Sequence, residues 1–452
     1  MRVLLTAHAF PPRSTAGVEV YTFRLAKALS SLGHDVLVLA AVHDLGAEPY
    51  EVRRRVHEGV SVAEVVNVHH RGTLESTYSD AGVDRAAASV LSEFRPDCVH
   101  VQHLQNLSTG ILEVGRRQGA SLVVTLHDYW LSCPRDGLRM RADLTLSEQV
   151  DHAVCARCVR DSPYLAPPLQ RGLSGVVRRV GLGRFLHRAH DAAPRATEAA
   201  LRLLRSASFR KGEGLEGELD KRAAHLRAAI NDVDLVIAPT EFARARAAEF
   251  GVEGERLRTI PLGAVEGPLR GRRAGARKRF GFVGTLAPHK GVHVLIEAFR
   301  GVGDPLVSLD LFGSLTVHAT YVDALRRAAA GDPRIRFRGA FAEGEQLRAL
   351  DLLDALVLPS VWWENSPLAA LEALAVGLPV IASRTGGVSE IVDHGTGGWL
   401  VSPGDVAALR DALAGLAAGT LLGASAPPAN VKTVAEGAGE LVGLYAALRG
   451  QR

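Results

Sequence analysis

The sequence predicts an α/β protein built from two doubly wound, Rossmann-like domains that face each other across a central cleft. Three observations lead there. The chain has 452 residues, too many for one ordinary hydrophobic core. Short, wholly apolar runs alternate with stretches of helical spacing in both halves, the pattern of parallel strands joined by crossover helices. Between the halves, residues 264–279 are rich in Gly and Arg and poor in apolar side chains, as interdomain linkers are.

The elements follow in order. Residues 2–7 are apolar and read as a strand. A loop over residues 8–16 carries Pro11 and Pro12. Val20, Phe23, Leu25, Ala28 and Leu29 then mark a helix over 17–32, and Gly33 stands where a left-handed cap belongs. The strand pattern recurs at 36–42, 97–102, 122–126 and 235–239. Thr240 is placed to cap a helix that ends near Gly251. A second set of strands is predicted at 280–286, 307–312, 335–338, 355–359 and 379–383. The domains are therefore expected at 1–263 and 280–430, the first with a helical, Arg-rich insertion at about 160–227. Residues 420–430 read as a loop. The last stretch, 431–452, reads as a helix packing back on the first domain.

Composition excludes several classes. Hydrophobic residues make up 47% and charged ones 23%, values of a globular chain and not of a disordered one. Four cysteines in this length do not make a disulfide framework. No basic segment precedes a long apolar one near Met1, and no apolar run reaches the ~18 residues that span a bilayer. The expected location is the cytoplasm, with peripheral contact at the inner membrane face as the alternative. A net charge of +4 fits phosphate-bearing substrates, nucleic acid or an anionic membrane alike; of these, no nucleic-acid partner is expected.

In open parallel folds ligands bind beyond the carboxyl ends of the strands, so the chemistry should lie in strand-to-helix loops. Three such loops stand out in the second half. Glu364 and Glu372 are separated by seven residues, with Pro367 suited to the first helical turn, Ser366 to its cap and Gly377 to its end. Glu364 would lie in the loop and Glu372 one turn inside the helix. The helix N-terminus would offer amides to an anion, and the carboxylates could accept hydroxyl hydrogen bonds. A capping acid beside a solvated acid is the plainer reading of the pair. Gly284 to Gly291 form the second loop, with Lys290 placed to neutralise a diphosphate. Arg384, Thr385, Gly386 and Gly387 form the third, whose glycines would let backbone approach phosphate.

With these loops, segments 283–299 and 359–390 resemble the donor-binding half of the family-4 retaining glycosyltransferases, which have the GT-B fold. Pro11-Pro12 with Gly17-Val18-Glu19 resembles that family's glycine-rich loop. Leu126-His127-Asp128-Tyr129-Trp130 resembles its active-site histidine segment, and 235–263, ending in Ile260-Pro261-Leu262-Gly263, its domain junction. The resemblance implies a retaining hexosyltransferase that uses a nucleotide-diphosphate sugar. Lys290 would hold the diphosphate, Glu364 the donor-sugar hydroxyls and Glu372 the ribose. His127 would contact the transferred sugar near the reacting carbon. Amides near Gly17, Leu368 and Gly387 would complete the phosphate cradle, with Thr285, Ser366 and Gly386 in the same site. The leaving phosphate would take the acceptor's proton, with no cofactor and no divalent metal. The acceptor would be a glycan, a lipid-linked glycan or a small molecule, as in polysaccharide and cell-envelope synthesis.

The chain departs from the family at Thr285, where many members carry Arg, at Pro367, where many carry Gly, and at Ala16, where a double glycine is usual. Two rivals are a non-hydrolysing nucleotide-sugar epimerase and a non-catalytic nucleotide-sugar-binding protein. A dinucleotide oxidoreductase is poorly supported, because Thr6 to Gly17 lacks the G-x-G-x-x-G pattern. Cys133, Cys155 and Cys158 with His152 could form a structural metal site, although ordinary reduced cysteines are the plainer reading. Residues 171–211 interleave arginines with Leu and Phe. They would either lie on anionic lipid, which suits a lipid-linked acceptor, or cover the first domain as a solvated insertion. His69, His70, His100 and His103 read as packing histidines, His103 being nearest the expected cleft.

Overall fold

A computed structural model describes residues 1–451 apart from 45, 68–72, 142, 162–214, 265–277, 342–343, 397 and 422–430. The first sheet contains β1 (Arg2–Ala7), β2 (Asp35–Val42), β3 (Val52–His57), β4 (Val60–Val66), β5 (Cys98–Val101), β6 (Ser121–Thr125), β7 (Leu235–Ala238) and β8 (Leu257–Thr259). Its order is β3-β4-β2-β1-β5-β6-β7-β8, parallel except for the antiparallel β3–β4 pair. Around it lie α1 (Gly17–Ser31), α2 (Ala81–Phe94), α3 (Gly110–Arg117), α4 (His152–Asp161), α5 (Leu215–Asn231) and α6 (Glu241–Phe250).

The second sheet contains β9 (Lys278–Val283), β10 (Val307–Phe312), β11 (Ile335–Gly339), β12 (Ala355–Leu358), β13 (Val380–Ser383) and β14 (Gly398–Val401). It is parallel throughout, in the order β11-β10-β9-β12-β13-β14. Its helices are α7 (Val292–Arg300), α8 (Ala319–Ala329), α9 (Gln346–Asp351), α10 (Leu368–Ala375), α11 (Val388–Ile391) and α12 (Val406–Ala418), and α13 (Val434–Gly450) follows. The fold is thus the expected pair of α/β domains. The central strands are apolar along their length because helices cover both faces: every residue of β5, β6, β7, β12 and β13 is buried.

Local signals act as expected at several helix ends. Thr240 accepts a hydrogen bond from the Ala243 amide and caps α6, which ends at Gly251 in a left-handed conformation. Thr433 and Glu436 form a reciprocal capping box at the start of α13. That helix packs against α1 of the first domain, and its buried Tyr445 hydroxyl is hydrogen-bonded to His100 Nδ1 at 2.5 Å. Where the chain crosses between domains, Ala264 makes a parallel bridge with Thr433.

The structure corrects three expectations. β3, β4, β8 and β14 lie outside the strands expected: β3 is an edge strand of sequence VRRRVH whose arginines face solvent and acidic partners, the mostly apolar β4, VSVAEVV, is interrupted by Ser61 and Glu64, and β8 and β14 are only three and four residues long. β9 begins at Lys278 and Ala264 is already paired, so both ends of the segment read as linker are structured. The insertion read at 160–227 is overrun by α5, whose Leu226 and Ile230 belong to the first domain's core. Residues 171–211 and the His69-His70 pair lie outside the described residues. No helix among the described residues is long and apolar enough to cross a membrane.

Candidate active site

One wall of the cleft is made by the loops after β9, β12 and β13. Glu364, 4% exposed, lies between β12 and α10. Lys290 Nζ donates to both its oxygens, at 2.8 and 3.0 Å, and Ser360 Oγ donates at 2.5 Å. Burial alone would push the Glu364 carboxyl up, but the Lys290 ammonium and the hydrogen bonds outweigh it and hold it below its ordinary range. Lys290 ends a short 3₁₀ turn, Pro288–Lys290, with its ammonium 4.8 Å from the centre of the Trp362 ring. Gly291 follows in a left-handed conformation (φ 68°), and a side chain there would collide with the Pro359 carbonyl. The turn carrying Lys290 is thereby seated against the loop carrying Glu364.

Gly386 has a similar task. Its φ is 58°, and a Cβ would strike the Glu364 backbone. The Gly387 amide donates to the Glu364 carbonyl at 2.8 Å. The amide of Gly387 itself is thus engaged in holding the Glu364 loop, so any phosphate amide on this loop would have to come from a neighbour of Gly387. The expected capping role of Ser366 is corrected. The residue flanking α10 is Pro367, in an extended conformation, and no side chain caps the helix. Ser366 is one residue too early to reach the first amides, so those of Leu368 and Ala369 have no side-chain cap. Thr285 is half-buried and its carbonyl accepts the Ala287 amide at 2.8 Å. Gly17 is the exposed first residue of α1, whose N-terminus likewise has no side-chain cap.

Glu372 lies one turn into α10 and is ion-paired with Arg24 of α1, across the cleft. Other contacts tie the walls together. Asn365 Nδ2 donates to the Leu126 carbonyl at 2.8 Å, and Thr240 Oγ1 donates to Asn365 Oδ1 at 3.2 Å. Glu390 accepts the Glu241 and Phe242 amides at 2.6 and 2.7 Å, capping α6 from the other domain. Trp363 stacks edge-on with Tyr129 and Phe242, at 5.8 and 5.3 Å between ring centres.

The opposite wall comes from the loops after β1, β5 and β6. His127 Nε2 is hydrogen-bonded to Gln102 Oε1 at 2.8 Å. Burial pushes its imidazole down to about 3, so it stays neutral. Beside it are two imidazole–carboxylate pairs, His8–Glu19 at 3.2 Å and His103–Asp128 at 3.0 Å. The His8 and His103 rings are 4.8 Å apart. Ser14 Oγ donates to Glu19 at 2.6 Å. Burial opposes charge on both members of the first pair, but their mutual attraction outweighs it, raising His8 and lowering Glu19 to about 2. Of these groups, sequence reading singled out a role only for His127 and a cleft position for His103. Glu19 and Asp128 stood inside the quoted motifs without one. Nothing local marked His8, Arg24, Gln102 or Asn365, because their partners lie 11 or more residues away in the chain, and Ser360, only four residues from Glu364, was passed over.

The candidate metal set is not assembled. Among the described residues no three His, Cys, Asp or Glu side chains are grouped as ligands. His152 is paired with Asp220 at 2.6 Å, and burial pushes the Cys133 thiol up to about 11.

Comparison with known proteins agrees with this architecture. The family described as "Glycosyl transferases group 1" matches residues 277–418, and "Glycosyltransferase Family 4" matches residues 15–159. Glycogen synthase of Mycobacterium tuberculosis is 26% identical over 417 residues, 91% of this chain and 85% of that protein. Sucrose-phosphate synthase of Thermosynechococcus elongatus superposes with a TM-score of 0.59 at 18% identity, covering 100% of this chain and 96% of that one. HepE of Anabaena, solved with UDP-glucose, gives 0.56 at 16% identity, over 100% and 98% of the two chains. With one family matched in each domain and a relative along nearly the whole length, the chain belongs to the group 1 and family 4 glycosyltransferases.

Proposed function

We propose that the protein transfers a hexosyl group from a nucleotide-diphosphate sugar to an acceptor hydroxyl with retention of configuration. The observation that carries this reading is the buried Lys290–Glu364–Ser360 unit, which lies on the wall opposite His127. A donor entering there would exchange the Lys290–Glu364 bond for two new ones. The ammonium turns to the diphosphate, and the carboxylate accepts sugar hydroxyls. Glu372 would exchange Arg24 for the ribose hydroxyls. The uncapped N-termini of α1 and α10 at Gly17 and Leu368 would add partial positive charge.

Transfer then needs negative charge stabilised on the leaving diphosphate as the glycosidic bond breaks. In this reading Lys290 and the helix amides do that work, and the leaving phosphate takes the proton of the attacking hydroxyl on the same face of the sugar. His127, neutral through burial, contacts the sugar near the reacting carbon. No divalent metal and no cofactor is needed. Peripheral contact with a membrane and a role in polysaccharide synthesis fit the reading without being required by it.

The test is a donor screen across UDP-, GDP- and ADP-sugars by thermal shift, followed by turnover with and without EDTA. The expected result is stabilisation by one nucleotide class and turnover that EDTA leaves intact, with an α-linked product from an α-linked donor. Strong inhibition by EDTA or an inverted product would refute the mechanism.

A further inference from the structure

The acceptor wall carries features that the transfer mechanism above does not use. Glu19 and Gln102 are each 1% exposed. Glu19 Oε2, Gln102 Nε2 and His8 Nδ1 are buried, and none has a hydrogen-bond partner. Polar atoms are costly to bury in this state, so such a cluster beside His127 calls for a ligand. The three belong to one group. His8 is paired with Glu19, Gln102 holds His127, and His8 and Glu19 both act electrostatically on His127.

Their chemistry is mixed. A carboxylate oxygen only accepts, an amide nitrogen only donates, and an imidazole nitrogen does either. Hydroxyl groups, which both give and take, match such a set. The charge of the wall points the same way. Glu19 and Asp128 face His8 and His103, and no Lys or Arg among the described residues is ion-paired with either acid. His103 is hydrogen-bonded through Nε2 to Asp128 and accepts the Gln105 amide on Nδ1 at 2.9 Å. His127 is kept neutral by burial. The two carboxylates are therefore met by imidazoles, with no permanent cation among the described residues paired to either. A phosphate or carboxylate would meet two carboxylates here, whereas the donor wall meets its diphosphate with Lys290.

We propose that His8, Glu19 and Gln102 form the acceptor site, and that the part of the acceptor seated there is an uncharged, hydroxyl-rich sugar or polyol. This rests on the transfer reading above. The His8 ring is also faced by Asp128 and Asp136, so acceptor affinity is expected to vary with pH near neutrality.

The test uses the full chain with the donor found in the screen. Transfer is measured to free mono- and disaccharides and to the same sugars as phosphate monoesters. Neutral acceptors are expected to exceed their phosphorylated counterparts at least tenfold in kcat/KM. Glu19→Gln, nearly isosteric, should raise acceptor KM about tenfold and move donor KM far less, and His8→Asn should do the same. Donor turnover with a preference for phosphorylated acceptors would overturn this proposal alone. So would variants whose donor KM rises as much as acceptor KM, since the residues would then grip the donor. If no nucleotide-sugar were turned over at all, the transfer reading would fall and this one with it.

Discussion

The two walls of the cleft hold their buried acids in different ways. On the proposed donor wall, Glu364 and Glu372 are met by an ammonium and a guanidinium, Lys290 and Arg24. On the proposed acceptor wall, Glu19 and Asp128 are met by imidazoles, His8 and His103. Lysine and arginine stay charged at any working pH, while histidine changes charge near neutrality. The difference suits the two tasks. A diphosphate needs a permanent cation, whereas a hydroxyl acceptor needs hydrogen-bonding groups that can give or take.

The largest effect should come from breaking the donor pair. Lys290→Ala removes the cation from the diphosphate and leaves Glu364 buried with Ser360 alone. Turnover should fall by about 100- to 1,000-fold, and stability by about 3–5 kcal/mol, as for other buried acids stripped of their partner. Less than a tenfold loss of turnover would remove Lys290 from the chemistry.

The next tests whether the walls must be held in register. Asn365 joins the residue beside Glu364 to the residue beside His127, through the Leu126 carbonyl. Asn365→Ala should lower kcat about tenfold with a smaller change in nucleotide affinity. Asn365→Asp should be no better, because a carboxylate cannot donate to that carbonyl. Full activity in the aspartate variant would show that the link does not matter.

The pH dependence of stability tests the buried imidazoles of both walls. Burial depresses His100, His127 and His289 to about 3. Their contribution to stability is present above the unfolded value near 6.5 and is lost as pH falls below it. His8 is raised, so its contribution is present below 6.5 and is lost as pH rises through its folded value. With His34 and His293 lowered as well, five depressed groups against one raised group predict a thermal midpoint that drops between pH 7.5 and pH 5. A flat profile over that interval would contradict the burial of these rings.

The smallest effect is expected at Arg24, whose ion pair with Glu372 would compete with ribose in the proposed reading. Arg24→Ala should tighten nucleotide binding a few-fold in calorimetry. Weaker binding would mean that Arg24 helps to hold the nucleotide instead.

The same contrast explains what could be read from the sequence. On the proposed donor wall the meeting of Lys290 with Glu364 was legible as a place, because these residues and Glu372 sit in short strand–loop–helix phrases that announce themselves locally. Ser366 was misjudged because Pro367 stands outside the helix rather than in its first turn, which moves the flanking position by one residue. The contact of Gly387 with the Glu364 loop was not legible, because a glycine that lets phosphate approach and one that lets another loop approach look alike in sequence. The acceptor wall is assembled from three separate loops, and its pairs span up to 25 residues of chain. No local pattern records that His8 will meet Glu19, or that His103 will meet Asp128. The edge strand β3 was invisible for a simpler reason: three consecutive arginines do not resemble the apolar run of a central strand.

The paired crossing between the domains has a mechanical consequence. Ala264 donates to the Lys432 carbonyl and Val434 donates to the Ala264 carbonyl, at 2.8 and 2.9 Å. The outgoing and returning chains therefore lie side by side, and sliding one past the other would break both bonds. A side chain at Gly263 would strike the Thr433 carbonyl, so even one methyl group there would wedge the two crossings apart.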